Sequence, residues 1–169
     1  MAGVNHPSGS WKTEDLKLFL PFSINDQYNV LGLWTKGSDS QAFSYIGQLW
    51  KYLQIHRQEL SGDNQLVLGD FNSNTIWDKP DRWWNHSSVV AELEELGLTS
   101  LYHQQYAEKH GEETRSTFFL YRHQDKAHHI DYAFIPKKLL GSSTLEIAKP
   151  EDWLNISDHV PVIINLKTN

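Results

Sequence analysis

Apolar residues run along this chain in short stretches divided by turn residues, and the stretches change character halfway. "YNVLGLWTK" (28–36) is apolar and aromatic over a strand's length and predicts a β-strand. "GSDS" (37–40) breaks it and offers a helix N-cap. Over 41–60, Phe43, Ile46, Leu49, Trp50, Leu53 and Leu60 recur at helical spacing and predict an amphipathic helix. "QLVLGDF" (65–71) reads as a short buried strand bounded by turn residues, and 72–86 as a polar loop in which Trp77, Trp83 and Trp84 pack. "SSVVAELEELGL" (87–98) predicts a second helix, capped by Ser87 or Ser88 and closed at Gly97.

Beyond that helix the helical period gives way to strand-like runs. Aromatic or β-branched runs at 116–123, 129–136, 143–149 and 161–167 predict four strands separated by turns. Lys137 and Lys138 read as a solvated helix start. Strand–helix–strand–helix followed by several strands implies an α/β fold: a mixed β-sheet flanked by helices. Residues 1–15 are a polar lead-in, and 16–169 read as a single domain.

Composition narrows the function classes. Fifteen basic against twenty-one acidic residues give a formal charge of −6, which argues against broad electrostatic binding of nucleic acid. A nuclease stays possible, because a metal ion can supply local positive charge. The chain has no Cys, hence no disulfide framework and no thiolate metal site. No apolar run is long enough to span a membrane, and the N-terminus lacks the apolar stretch of a signal peptide. A cytoplasmic location is the default expectation.

Candidate chemistry sits at strand ends, where open α/β sheets place ligands. Asp70 and Asn72 lie two residues apart, just past a buried strand. A carboxylate and an amide so placed can hold a metal, a phosphate oxygen or an attacking water, or can cap their own turn. Asp158-His159, ahead of "VPVIINL", marks a second strand edge, and His is the natural general base near neutral pH. Asp131 lies inside an aromatic run, where an unpaired carboxylate is costly to bury. It therefore needs a partner: His159, or else Arg115, Arg122 or a tyrosine hydroxyl. His128, and with less support His86 and His103, could contact phosphate or metal, or else are solvated or hydrogen-bonded; Thr117 could line the pocket, or else fits its sheet.

"GDFNSN", "HIDYAF" and "SDHVP", in that order, resemble the endonuclease/exonuclease/phosphatase superfamily, over roughly residues 20–167. The resemblance implies the deoxyribonuclease-I-like fold, a four-layer α-β-β-α sandwich of which this chain forms part. It implies hydrolysis of a phosphate ester with Mg²⁺ or Mn²⁺. Asp70 would activate water or contact metal, Asn72 would hold the scissile phosphate, and His159 would be the catalytic histidine. Asp131 would hold the tautomer of His159, and Asp158 would join Asp70 in handling metal. Asn74, Trp34 and His129 are further expected substrate contacts, Trp34 through its indole N–H or else as a buried aromatic.

The superfamily's earlier strand, ending in a metal-ligand Glu, has no counterpart here. Asn5 and Glu14 follow no apolar strand, and no "QE" motif is present. The chain thus reads as the second half of the fold. A bare inner sheet face is then expected, covered by a second copy or by a separate partner chain. Nucleic acid is the leading substrate. A phosphorylated small molecule, or an inactive relic acting as an interaction module, is the alternative.

Overall fold

The computed structural model describes residues 4–5, 16, 18–37 and 43–167. The GSDS N-cap expected at 37–40 lies mostly outside them.

Alternation of apolar residues builds the central sheet, because successive strand residues face opposite sides. Strands β1 (Val4–Asn5), β2 (Phe19–Ile24), β3 (Tyr28–Trp34) and β4 (Gln65–Asp70) are followed by a helix and a short strand, β5 (Leu98–Ser100). The sheet runs β1-β2-β3-β4-β8-β5, with β8 spanning Asp131–Pro136. Strand β4 lies at its centre, parallel to β3 and antiparallel to β8. Leu31, Val67 and Phe134 face one side, packed on α1 (Ile46–Ile55) and α2 (His86–Glu95) through Leu49, Leu53, Val89 and Leu93. Val30, Leu66, Ala133 and Ile135 face the other. There they meet α3 (Leu101–Tyr106) and the antiparallel pair β9 (Ser143–Ile147) and β10 (Val162–Leu166). Helices, sheet and hairpin stack in the order α-β-β. A small ribbon of β6 (Phe118–Phe119) and β7 (Ala127–His128) and the short α4 (Pro150–Trp153) complete the set.

Gly69 is required by close approach of strands. Its φ is +143°, and a Cβ there would stand 1.9 Å from the Leu33 carbonyl oxygen. The glycine of "GDFN" is thus what lets β3 lie against β4 where Asp70 leaves the sheet.

Several sequence expectations are corrected. The helix expected over 41–60 is confined, among the described residues, to 46–55. The cap of α2 is Asn85, with Ser88 completing a reciprocal capping box at the third helical position. The strand expected over 116–123 holds only two residues, because Tyr121 and Arg122 take positive φ in a 3₁₀ turn. Strands β2 and β5 and helix α3 were not expected. Trp84 packs on Phe43 at 5.1 Å, whereas Trp77 and Trp83 are exposed. The inner sheet face is not bare. The β9–β10 hairpin covers part of it and leaves a groove of about 480 Å³, bounded by Gly32, Leu68, Asp131 and Ile164.

Candidate active site

Antiparallel register sets Asp70 and Asp131 directly opposite each other on β4 and β8. Like charges so placed repel. Burial, and then the charge of Asp131, push the Asp70 carboxyl up to about 6, against the pull of the Asn72 N–H and of His159. A pair of this kind calls for a cation between or beside its members.

His159 supplies one. Its Nδ1 lies 3.0 Å from Asp131 Oδ2. That bond raises the imidazole above its ordinary pKa, against the opposing effect of burial. The loop carrying Asp158 and His159 is stitched in place by backbone bonds: Phe119 N–H donates to Asp158 O at 2.7 Å, and Val160 N–H to Thr117 O at 2.9 Å. Phe118 packs on the His159 ring at 4.9 Å. The Thr117 hydroxyl accepts from the Ile130 and Asp131 N–H groups, both at 3.1 Å. This threonine therefore ties the two loops of the site together. With Nδ1 on Asp131, Nε2 is the ring nitrogen left to exchange a proton.

Asn72 brackets the carboxylate of Asp70. Its backbone N–H donates to Oδ1 at 2.7 Å and its side-chain amide to Oδ2 at 2.9 Å. The amide also donates to the Thr35 carbonyl at 2.8 Å. The residue takes φ 44°, in the left-handed region that non-glycine residues enter at a cost. The "FNS" turn is thus wound backwards to fix Asp70.

The structure brings together Asp70, Asp131 and His159, whose donor atoms lie within 4.8 Å of one another. Asn72 adjoins them, and Trp34 pairs in register with Asp70. Trp34 is 48% exposed, not buried as an alternative reading had it. Asp158, expected to share metal with Asp70, is exposed and stands outside that donor group, though its charge acts on both Asp70 and His159. Asn74 and His129, expected as substrate contacts, lie buried. They are 2% and 3% exposed. The Asn74 amide donates to Glu113, the His129 carbonyl and the Tyr132 hydroxyl, and His129 Nδ1 lies 2.7 Å from the Arg115 carbonyl. Both serve the interior.

Sequence reasoning missed a second group: His103, His110 and Glu113, again with donor atoms within 4.8 Å. The spacing of "H" at 103 and 110 and "E" at 113 was the available signal. A separate cleft of about 290 Å³ opens beside Asn72, lined among others by Tyr45, Trp77, Arg82 and Trp84.

An α/β sandwich with carboxylates and a histidine at strand ends defines a fold class, and solved structures identify it. No protein-family model matches the chain, and no curated protein does. The 3′-5′ exonuclease NExo of Neisseria meningitidis aligns with a TM-score of 0.66 at 19% identity, over 98% of this chain and 71% of that one. An AP endonuclease from Archaeoglobus fulgidus aligns at 0.63 and 17%, over 99% and 70%. The endonuclease domain of TRAS1, a telomere-specific non-LTR retrotransposon, aligns at 0.61 and 18%, over 99% and 69%. The chain has the deoxyribonuclease-I-like fold expected from its motifs, and spans about seven-tenths of these neighbours' length. Among the described residues, no helix is long and apolar enough to cross a membrane.

Proposed function

We propose that this chain hydrolyses phosphodiester bonds of nucleic acid, with Asp70, Asp131 and His159 at the reacting phosphate. The observation that carries this reading is the 3.0 Å bond between His159 Nδ1 and Asp131, opposite a carboxylate already pushed up to about 6. Asp131 orients the imidazole. His159 Nε2 exchanges a proton with the phosphoryl oxygen or the attacking water. Asn72 holds Asp70 in position, and Asp70 accepts a proton from water.

Two opposed carboxylates fit a hard divalent cation such as Mg²⁺ or Mn²⁺, which commonly uses one or two carboxylates and keeps several waters. Asp70 and Asp131 would hold it, with Asp158 nearby. When bound it supplies charge stabilisation for the phosphoryl group.

Exposed Trp77 and Trp83, with Arg82 beside the cleft, offer stacking surfaces and one local cation in an otherwise acidic protein. A neighbouring NExo structure holds a product DNA hairpin, which favours nucleic acid over a phosphorylated small molecule. A copy of the chain or a partner over the groove beside Ile164 belongs to the same proposal, and sedimentation reads it.

The test is release of product from plasmid DNA and from a generic phosphodiester, with Mg²⁺ or Mn²⁺, beside His159→Ala. Metal-dependent hydrolysis lost in the variant is expected. Equal background from both proteins would overturn the reading.

A further inference from the structure

Strand alternation puts Tyr132 on the face of β8 opposite Asp131. Around the Tyr132 ring gather His86, His103, His110 and His129, at centroid distances of 4.9, 6.1, 6.0 and 4.8 Å. The proposed phosphodiesterase chemistry uses none of them. Such a concentration of imidazole in a fold's interior calls for a reason, since a buried polar group without a partner is costly.

The cluster gathers three ligand-type side chains, and because the His103 and His110 rings lie only 23° from parallel, one of them would turn to aim at a shared ion. Glu113 Oε2 accepts from Asn74 Nδ2 and from Gly111 N–H, each at 3.0 Å, which leaves Oε1 turned to His103 Nε2 at 3.0 Å. His103 Nδ1 lies 2.7 Å from Ser100 Oγ. Nε2–H donates to Glu113 here while Nδ1 accepts from the Ser100 hydroxyl; for Nε2 to ligate an ion its proton would pass to Nδ1, where Ser100 Oγ would accept it as the outer partner of a ligating histidine. His110 stacks on His103 with centroids 3.5 Å apart. Among the described residues its Nδ1 has no hydrogen-bond partner, nor has either ring nitrogen of His86, which is 1% exposed. At least one nitrogen of His86 thus offers a lone pair with neither a hydrogen-bond donor nor a cation beside it, independently of the Glu113 cluster.

We infer that His103, His110 and Glu113 form a second, half-buried metal site for a divalent transition metal of the zinc class. Zn²⁺ bonds of about 2.0–2.2 Å to nitrogen and oxygen set ligand atoms roughly 3.4 Å apart around a tetrahedral ion. The His103–Glu113 separation is already close to that. Imidazole-rich donor sets select zinc, copper, iron or nickel over magnesium.

The test separates this site from the open one. Purified full-length chain carrying Asp70→Asn and His159→Ala is stripped with a chelator, desalted, and titrated with Zn²⁺, then with Co²⁺ for its absorption spectrum. One equivalent of tightly held ion per chain is expected, with a Co²⁺ spectrum of tetrahedral intensity. Adding His110→Ala or Glu113→Gln is expected to weaken binding by more than about tenfold, the lower end of what even outer partners contribute. Circular dichroism checks that each variant folds, and the near-isosteric Glu113→Gln carries the test if His110→Ala does not. A folded parent variant that takes up no ion would sink the proposal and leave a hydrogen-bonded network. Retention of the ion in both added variants would do the same.

Discussion

Adjacent residues of β8 serve two clusters that differ in almost every physical respect. Asp131 faces a groove, opposes Asp70 and holds His159. Tyr132 faces the interior and is ringed by imidazoles. The first cluster is oxygen-rich, half-open and electrostatically unrelieved, with a carboxyl lifted to about 6. The second is nitrogen-rich and internally bonded, with a carboxyl lowered to about 2. One arrangement keeps charge tension where a substrate can reach it. The other bonds its carboxylate internally, away from that groove. Their difference predicts that the first governs activity and the second governs stability.

The sharpest break in that comparison is His159→Ala. Loss of a positioned acid–base group should lower hydrolysis about 10²–10⁴-fold, while the thermal midpoint stays near that of the parent. Steady-state rates on a phosphodiester, read beside a melting curve, check both halves. A variant that unfolds as it loses activity would put His159 in the structural class and erase the contrast.

Glu113→Ala should act in the opposite sense. It strips His103, Asn74 and Gly111 of their shared acceptor. Breaking a buried pair by removing one partner costs about 3–5 kcal/mol. Urea unfolding of metal-free protein should show the midpoint falling with the slope unchanged.

These two clusters were unequally legible in the sequence, and the reason is distance along the chain. Asp70 and Asn72 sit in one short motif at the end of an apolar run, and Asp158-His159 in another. Strand ends announce themselves through local pattern. The imidazole cluster draws on α2, α3, the loop after α3 and the lead-in to β8, so no window shows it. Asn74 and His129 share motifs with the site yet turn inward, because the next residue along a turn or strand faces elsewhere. Aromatic content also misled at 116–123, where positive φ at Tyr121 and Arg122 ends the strand after Phe119. Pro21 and a positive φ at Leu18 obscured β2, which nevertheless pairs with β3 along its whole length.

Asn72 tests how the open cluster is held. Asn72→Ala removes the side-chain bonds to Asp70 Oδ2 and to the Thr35 carbonyl and leaves a Cβ at positive φ, so a loss of about 1–3 kcal/mol is expected. Asn72→Gly removes the same side-chain bonds but relaxes the backbone, and should lose less stability while losing as much activity. Equal stability of the two variants, by chemical denaturation, would show that the backward turn is unstrained.

The smallest effect discriminates most finely, because the two clusters push stability in opposite directions with pH. Asp70 ionises less readily folded than unfolded, with its pKa raised from 3.8 to about 6. The folded state therefore holds the extra proton, and the stability Asp70 contributes is complete below pH 3.8 and lost as pH rises through about 6. His159, also raised, acts in the same sense from its ordinary value of 6.5 upward. His86 and His110 are lowered from 6.5 to about 3, so their contribution is complete above 6.5 and lost as pH falls towards 3. Between pH 4 and 6 the slopes partly cancel in the parent protein. In EDTA, Asp70→Asn should expose the imidazole slope: stability rising with pH, by a difference on the order of 1 kcal/mol across that interval. Thermal melts at closely spaced pH values would read it. A variant whose pH profile overlays the parent's would mean that Asp70 titrates at its ordinary value, and that the opposed carboxylates of β4 and β8 are not in tension.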